Sequence, residues 1–447
     1  MKSGRQWMWL AAPLCFSRKR WFQMLHRPSN RFRAVALSLA ILAGVGLTSH
    51  MARADGAAAK LARQHLYAGT LGAGAAELAA RAAAAPDDRE ARFALGLVRF
   101  AQAVEHLGQS LYRHGLRPPK SVSVPLLRFP VPLNPRPESI TYQAFRDILK
   151  AFGDDLAAAE AVLQTVGDSD VGIVIDLARV RFDLRSDGKA AEDESLAYIL
   201  ASLSQSPRTP VSAAAVLEVR FDTGDAQWLA GYSHALMALC DFLLAHDFHA
   251  TFDATFHRFF PRAETPLASA LSQALPTDSM GQLLPDSQIL ADVIGFIHTI
   301  NWPVVEPERM RSARQHLKSV LAASRHSWSL ILAETDDDRE WLPNPRQSNV
   351  AIGQRVSQPQ IEAWMAALDE FDAILDGRQL VPHWRFTRGI DAKKFFDEPQ
   401  TFDLVMLLTG AGAVPYLQDG PIASSQRWGE ITKAFEDNFF AYALWFN

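Results

Sequence analysis

Apolar residues recur at three- and four-residue steps along nearly all of this chain, while the alternation that a half-buried strand needs is almost nowhere. The clearest stretch is 140–166, where Phe145, Ile148, Leu149, Phe152, Leu156, Ala159 and Leu163 fall on one stripe of a helix. The pattern predicts an all-α, irregular globular bundle of about a dozen helices joined by long Pro-rich loops. Further helices are expected at 226–248, 287–300, 306–332 and 360–376, with a last one from Arg427 to Phe446. Phe402–Thr409 reads equally as a buried strand or a helix.

Breaks in the pattern suggest boundaries. The stretch 117–137 holds seven prolines in 21 residues, which excludes a continuous helix and predicts an extended strap over 117–138. It separates an Ala-rich N-terminal helical hairpin, 55–116, from a main helical domain, 139–447. Within the hairpin Ala91, Leu95, Gly96, Phe100 and Ala103 resemble one half of a tetratricopeptide hairpin. No second copy follows at the roughly 34-residue period of such repeats, so a plain hairpin is expected.

Residues 1–54 read as an export signal. Arg27, Arg31 and Arg33 supply a positive region, Ala34–Leu47 an apolar one, and Ala52-Arg53-Ala54 a small-x-small cleavage site. The apolar run is shorter than the roughly 20 residues that span a bilayer, so a cleaved signal is expected rather than an anchor, and Met24 is a plausible true start. The expected location is periplasmic or extracellular, with no stable membrane span after cleavage.

Removing that segment changes the charge. It contains nine of the 45 basic residues and none of the 49 acidic ones, leaving 36 against 49 and a net charge of −13. An acidic chain without a Lys/Arg cluster lacks the footprint that phosphate backbones require, which argues against nucleic acid as a partner. Cys240 is the one cysteine beyond the signal, so no internal disulfide is expected and stability must come from the core.

Three segments carry candidate chemistry. The first, Asp183 to Glu194, resembles the calcium loop of an EF-hand. Asp183 and Asp187 stand at its positions 1 and 5, Gly188 at 6, Lys189 at 7 and Glu194 at 12. The resemblance implies Ca2+ bound by Asp183, Asp187, the Lys189 backbone and Glu194. Arg185 replaces an expected oxygen ligand at position 3, and this favours an acidic turn leading into a helix.

In the second segment, a continuous helix over 246–257 places His249, Asp253 and His257 at i, i+4 and i+8, a spacing suited to zinc or iron. The neighbouring Phe248, Phe252, Phe256, Phe259 and Phe260 favour a core helix with a polar outer face. The third is the acidic run Glu334, Asp336, Asp337, Asp338 and Glu340, with His383 and Arg385 downstream. Clustered carboxylates raise one another's pKa and can provide an acid and a base. Seven tryptophans at or beyond Trp302 are available to stack on sugars. This gives an alternative reading as a hydrolase of envelope polysaccharide using Glu334, Asp336, Asp337, Glu340 and His383. Gly231-Tyr-Ser233-His234-Ala235 lacks the last glycine of a nucleophile elbow. The favoured expectation is a non-enzymatic exported protein that binds a protein or an envelope ligand, with a weak calcium site.

Overall fold

The computed structural model describes residues 56–117, 129–168, 170–203, 217–271, 287–351, 354–436 and 438–447. The export signal and residues 118–128 of the Pro-rich strap lie outside the described residues. The fold is all-α, 62% helical with a few short strands. Among the described residues, no helix is long and apolar enough to cross a membrane.

The N-terminal segment forms three helices rather than a hairpin: α1 (Ala57–Ala68), α2 (Leu71–Ala84) and α3 (Arg89–Arg113). Gly69, in the left-handed region at φ 66°, ends α1 and turns the chain into α2. Asp88 caps α3 by accepting from the Ala91 amide at 2.9 Å. Helix α4 (Tyr142–Leu163) follows the strap, and its predicted stripe is buried at Phe145, Leu149, Phe152, Leu156, Ala159 and Leu163. The β-branched run before the 183–194 loop is strand β1 (Gly172–Asp176), with Ile173 and Ile175 inward.

After α5 (Leu196–Leu203), strand β2 (Glu218–Asp222) pairs antiparallel with β1, from Gly172 opposite Asp222 to Asp176 opposite Glu218. It runs directly into α6 (Thr223–Leu244). The helix predicted through 246–257 is shorter: α7 covers His249–Thr255, and Phe256–Arg258 tightens into a 3-10 turn. Helices α8 (Pro266–Leu271) and α9 (Ser287–Thr299) lead to β3 (Asn301–Trp302), then α10 (Pro307–Ala333) and α11 (Gln358–Leu375). The C-terminal part contains β4 (Gly389–Ile390), α12 (Ala392–Asp397), β5 (Phe402–Asp403), α13 (Leu404–Thr409) and β6 (Leu417–Gln418). The expected last helix is two, α14 (Ser425–Lys433) and α15 (Phe439–Phe446), separated where Glu436 takes φ 52°.

Packing follows a chain of neighbours: α2 on α3, α3 on α4, α4 on α6, and α6 on α10. Apolar side chains gather into three cores. The first joins α1 to α3 with β1 and with Ala226, Leu229 and Ala230 of α6. The N-terminal helices are therefore not separated from the main body; they close its first core. The second gathers Phe145, Phe248, Phe252, Phe256 and Phe260, the phenylalanine stripe expected to be core. The third holds Trp328, Trp364, Trp428, Phe435, Phe439 and Phe446, which accounts for three of the seven late tryptophans as packing groups.

Candidate functional site

The β2–α6 junction meets the C-terminal end of α10 in a buried carboxylate centre. Asp222 ends the strand and caps the helix: its Oδ1 accepts from the Gly224 amide at 2.8 Å and the Asp225 amide at 3.4 Å. Asp225 returns the bond, accepting from the Asp222 amide at 3.0 Å, which is the reciprocal geometry of a capping box. Helix α10 lies hard against this turn. Ser327 Oγ donates to the Gly224 carbonyl at 2.9 Å, and a Cβ on Gly224 would sit 2.9 Å from Ile331 Cγ1 and 3.4 Å from Glu334 Oε1.

Glu334 caps the C-terminus of α10, and the chain beyond it folds back along β2. The Arg220 amide donates to the Arg339 carbonyl at 3.1 Å, and the Glu340 amide to the Asn349 carbonyl at 2.9 Å. These bridges carry Glu340 inward, with Arg339 at φ 57° making the turn. Asp222, Glu334 and Glu340 then each offer an oxygen, all three within 4.8 Å of one another. Asp222 is 6% exposed and Glu340 2%.

Little positive charge compensates them. Arg220 reaches Asp222 at 3.4 Å, Asp336 at 3.3 Å and Asp170 at 3.4 Å. Gln347 Nε2 donates to Glu334 at 3.1 Å, and the Asp338 amide to Glu340 at 2.9 Å. Burial, reinforced by the Asp222 charge, pushes Glu334 up to about 9. Burial likewise raises Glu340 to about 7, against the bond from the Asp338 amide. Asp222 is raised by burial, and Asp225 well above its ordinary value by burial and by Asp222. Such a centre has two stable states: protonated, or holding a cation. Its all-oxygen donor set suits a hard ion such as Ca2+, Mg2+ or Mn2+.

Beside the centre lies a cavity of about 640 Å3 whose walls include Arg63, Asp88, Glu218, Arg220 and Arg339. Its lining is charged, and the one aromatic among its lining residues is Tyr67. That ring already lies 4.3 Å beneath the Arg179 guanidinium.

The predicted acidic set is divided. Glu334 and Glu340 belong to the centre, and Asp336 sits at its rim on Arg220. Asp337 fastens the returning loop instead, accepting from the Ser348 and Asn349 amides at 2.8 and 2.6 Å. His383 does not join them. His383 Nε2 lies 3.2 Å from the Leu407 carbonyl, Trp384 Nε1 donates to Leu408 at 2.9 Å, and Arg385 donates to Thr409. The three side chains thus satisfy the last carbonyls of α13. In the same C-terminal part, α12 packs on the first half of α10, where Arg314 meets Asp397 at 3.0 Å. Glu334 lies 20 residues further along the same helix, roughly 30 Å away at the α-helical rise.

The 183–194 loop uses its carboxylates internally. Asp183 accepts from the Asp187 and Gly188 amides at 3.0 and 2.9 Å, and Asp187 from the Lys189 amide at 3.0 Å. Glu194, fully buried, accepts from the Arg185 and Ala191 amides at 2.9 and 2.8 Å and pairs with the Arg185 guanidinium at 2.7 Å. Arg185, at the third loop position, supplies the cation to which Asp193 and Glu194 turn.

His249, Asp253 and His257 do not share a face, because α7 ends before His257. His249 stacks on Tyr142 at 4.6 Å and lies 3.7 Å from Asp253. His257 pairs with Asp292 of α9 at 3.6 Å. Burying Phe252, Phe256 and Phe260 together tightens the turn and rotates the second histidine away.

Sequence reasoning missed Arg220, Asp222 and Asp225. The available signal was the Asp-Thr-Gly-Asp run opening a long helix, a capping pattern; nothing local says that another acidic segment folds onto it. No family model, curated protein or solved structure matches the chain.

Proposed function

We propose that this is an exported, non-enzymatic binding protein that takes up one hard divalent cation at Asp222, Glu334 and Glu340. One observation carries the reading: three inward carboxylates from two segments far apart in the chain offer oxygens within 4.8 Å of one another. Arg220 is shared among Asp170, Asp222 and Asp336, so a cation would relieve the mutual repulsion of the centre. Asp225 stands behind Asp222 as its capping partner and is not needed as a ligand. Export to a compartment rich in free calcium fits the choice of ion, and the charged cavity beside Arg220 fits a polar ligand rather than an apolar one.

The geometry gives less support to a polysaccharide hydrolase. His383 is spent on α13, and the cavity wall lacks free aromatic faces for sugar stacking. Calorimetric titration of the purified protein with CaCl2 tests the proposal. A single saturable event is expected, accompanied by proton release because Glu334 and Glu340 must ionise to bind. It should disappear in Asp222→Asn and Glu340→Gln and persist in Asp187→Ala. No heat at millimolar calcium, or binding lost only in Asp187→Ala, would overturn it.

A further inference from the structure

Helices α4, α6 and α10 share a polar seam remote from the carboxylate centre's ligands. In it His234 of α6 and His316 of α10 face each other, Nδ1 to Nδ1, at 3.0 Å. Their rings lie 5.2 Å apart, tilted by 35°. A carboxylate stands behind each: Glu160 of α4 is 3.2 Å from His234 Nε2, and Asp241 of α6 is 3.6 Å from His316 Nε2. Arg309 holds Asp241 at 2.8 Å.

The proton arrangement follows from these neighbours. The Glu160 carboxylate accepts from His234 Nε2 at 3.2 Å and so leaves the His234 Nδ1 with its lone pair, whereas Asp241, 3.6 Å from His316 Nε2 and held by Arg309, does not fix the His316 tautomer. The His234 lone pair, 3.0 Å from His316 Nδ1, requires something positive opposite it, either the His316 N–H or a cation held by both Nδ1 atoms.

We propose that His234 and His316 bind a borderline transition-metal ion such as Zn2+ through their Nδ1 atoms, with water completing the coordination. Glu160 is a positioning residue that fixes the His234 tautomer and orients its ring, as carboxylates behind metal-bound histidines do, and Asp241 stands behind His316 at 3.6 Å. With Zn–N at about 2.0–2.1 Å and a tetrahedral angle, the two nitrogens sit roughly 3.3 Å apart, so the rings need open by only a few tenths of an ångström. The histidine side chains are 12% and 25% exposed, which leaves a path for the ion and its waters. Nitrogen donors separate this site chemically from the all-oxygen centre, and the inference is independent of the calcium reading. The competing occupant is a proton shared by the two rings.

Titration of the purified Asp222→Asn protein with ZnCl2 tests the proposal while disabling the carboxylate centre. One zinc is expected to bind, with affinity falling at least about tenfold in His234→Ala and in His316→Ala. Glu160→Gln should weaken binding about 10- to 100-fold with the ligands intact, and His249→Ala should leave it unchanged. Zinc affinity unaltered by both histidine variants, or no binding at millimolar zinc, overturns the site in favour of the shared proton. Should circular dichroism show that the alanine variants do not fold, Cu2+ paramagnetic resonance on the unaltered chain decides. Splitting from two imidazole nitrogens is expected, and a spectrum without nitrogen splitting overturns the proposal.

Discussion

Asp222 serves two masters: it caps α6 through Oδ1 and faces Arg220 through Oδ2. Asparagine keeps an acceptor for the cap but removes the charge, so Asp222→Asn is expected to abolish calcium binding while retaining the helical circular dichroism of the parent. Loss of both together would mean that the residue is merely structural. Gly224 is constrained differently. A Cβ there meets Ile331 at 2.9 Å, and Gly224→Ala should cost about 1–3 kcal/mol, the usual range for overpacking. Chemical denaturation measures it, and an unchanged midpoint would show that α10 does not press on this turn. At this scale the sequence was legible only in part. Glu334 and Glu340 could be singled out because they lie in a visible acidic run, whereas Asp222 and Asp225 resemble any helix cap until β2 is seen beside residues 339–350.

Among the elements, the end of α10 and the β2–α6 junction hold carboxyls whose pKa values are raised on folding. Between their ordinary value of 4.5 and the raised values, Glu334 and Glu340 bind more protons in the folded chain than in the unfolded one. Their contribution therefore falls as pH rises, with Glu340's decline ending near about 7 and Glu334's near about 9. In EDTA, thermal unfolding of the parent should fall more steeply from pH 5 to 9 than that of Glu334→Gln. Parallel curves would contradict the buried, raised carboxyl. The α4 stripe and the phenylalanine run were readable because periodicity encodes burial directly. Phe252, fully buried in the second core, should cost about 3–5 kcal/mol as Phe252→Ala, measured by denaturant unfolding. What periodicity could not reveal was where a helix tightens: the 3-10 turn at Phe256–Arg258, which separates His257 from His249, answers to ring packing rather than local preference.

For the molecule as a whole, the helical class was legible and the division into units was not. A proline-rich strap suggested an independent N-terminal hairpin, yet α1 to α3 share their core with Ala226, Leu229 and Ala230. Such sharing is a long-range fact with no local signature. Deleting residues 57–113 should consequently abolish cooperative unfolding of the remainder; a truncated chain melting as the parent does would restore the two-unit description. The same long-range closure creates the centre, since residues 222, 334 and 340 meet only when α10 packs along α6. The most direct measurement is therefore an anomalous difference map from crystals of the protein soaked in Mn2+. A peak is expected within bonding distance of Asp222, Glu334 and Glu340. A map with a peak only at the 183–194 loop, or with none at the three carboxylates, would contradict the account.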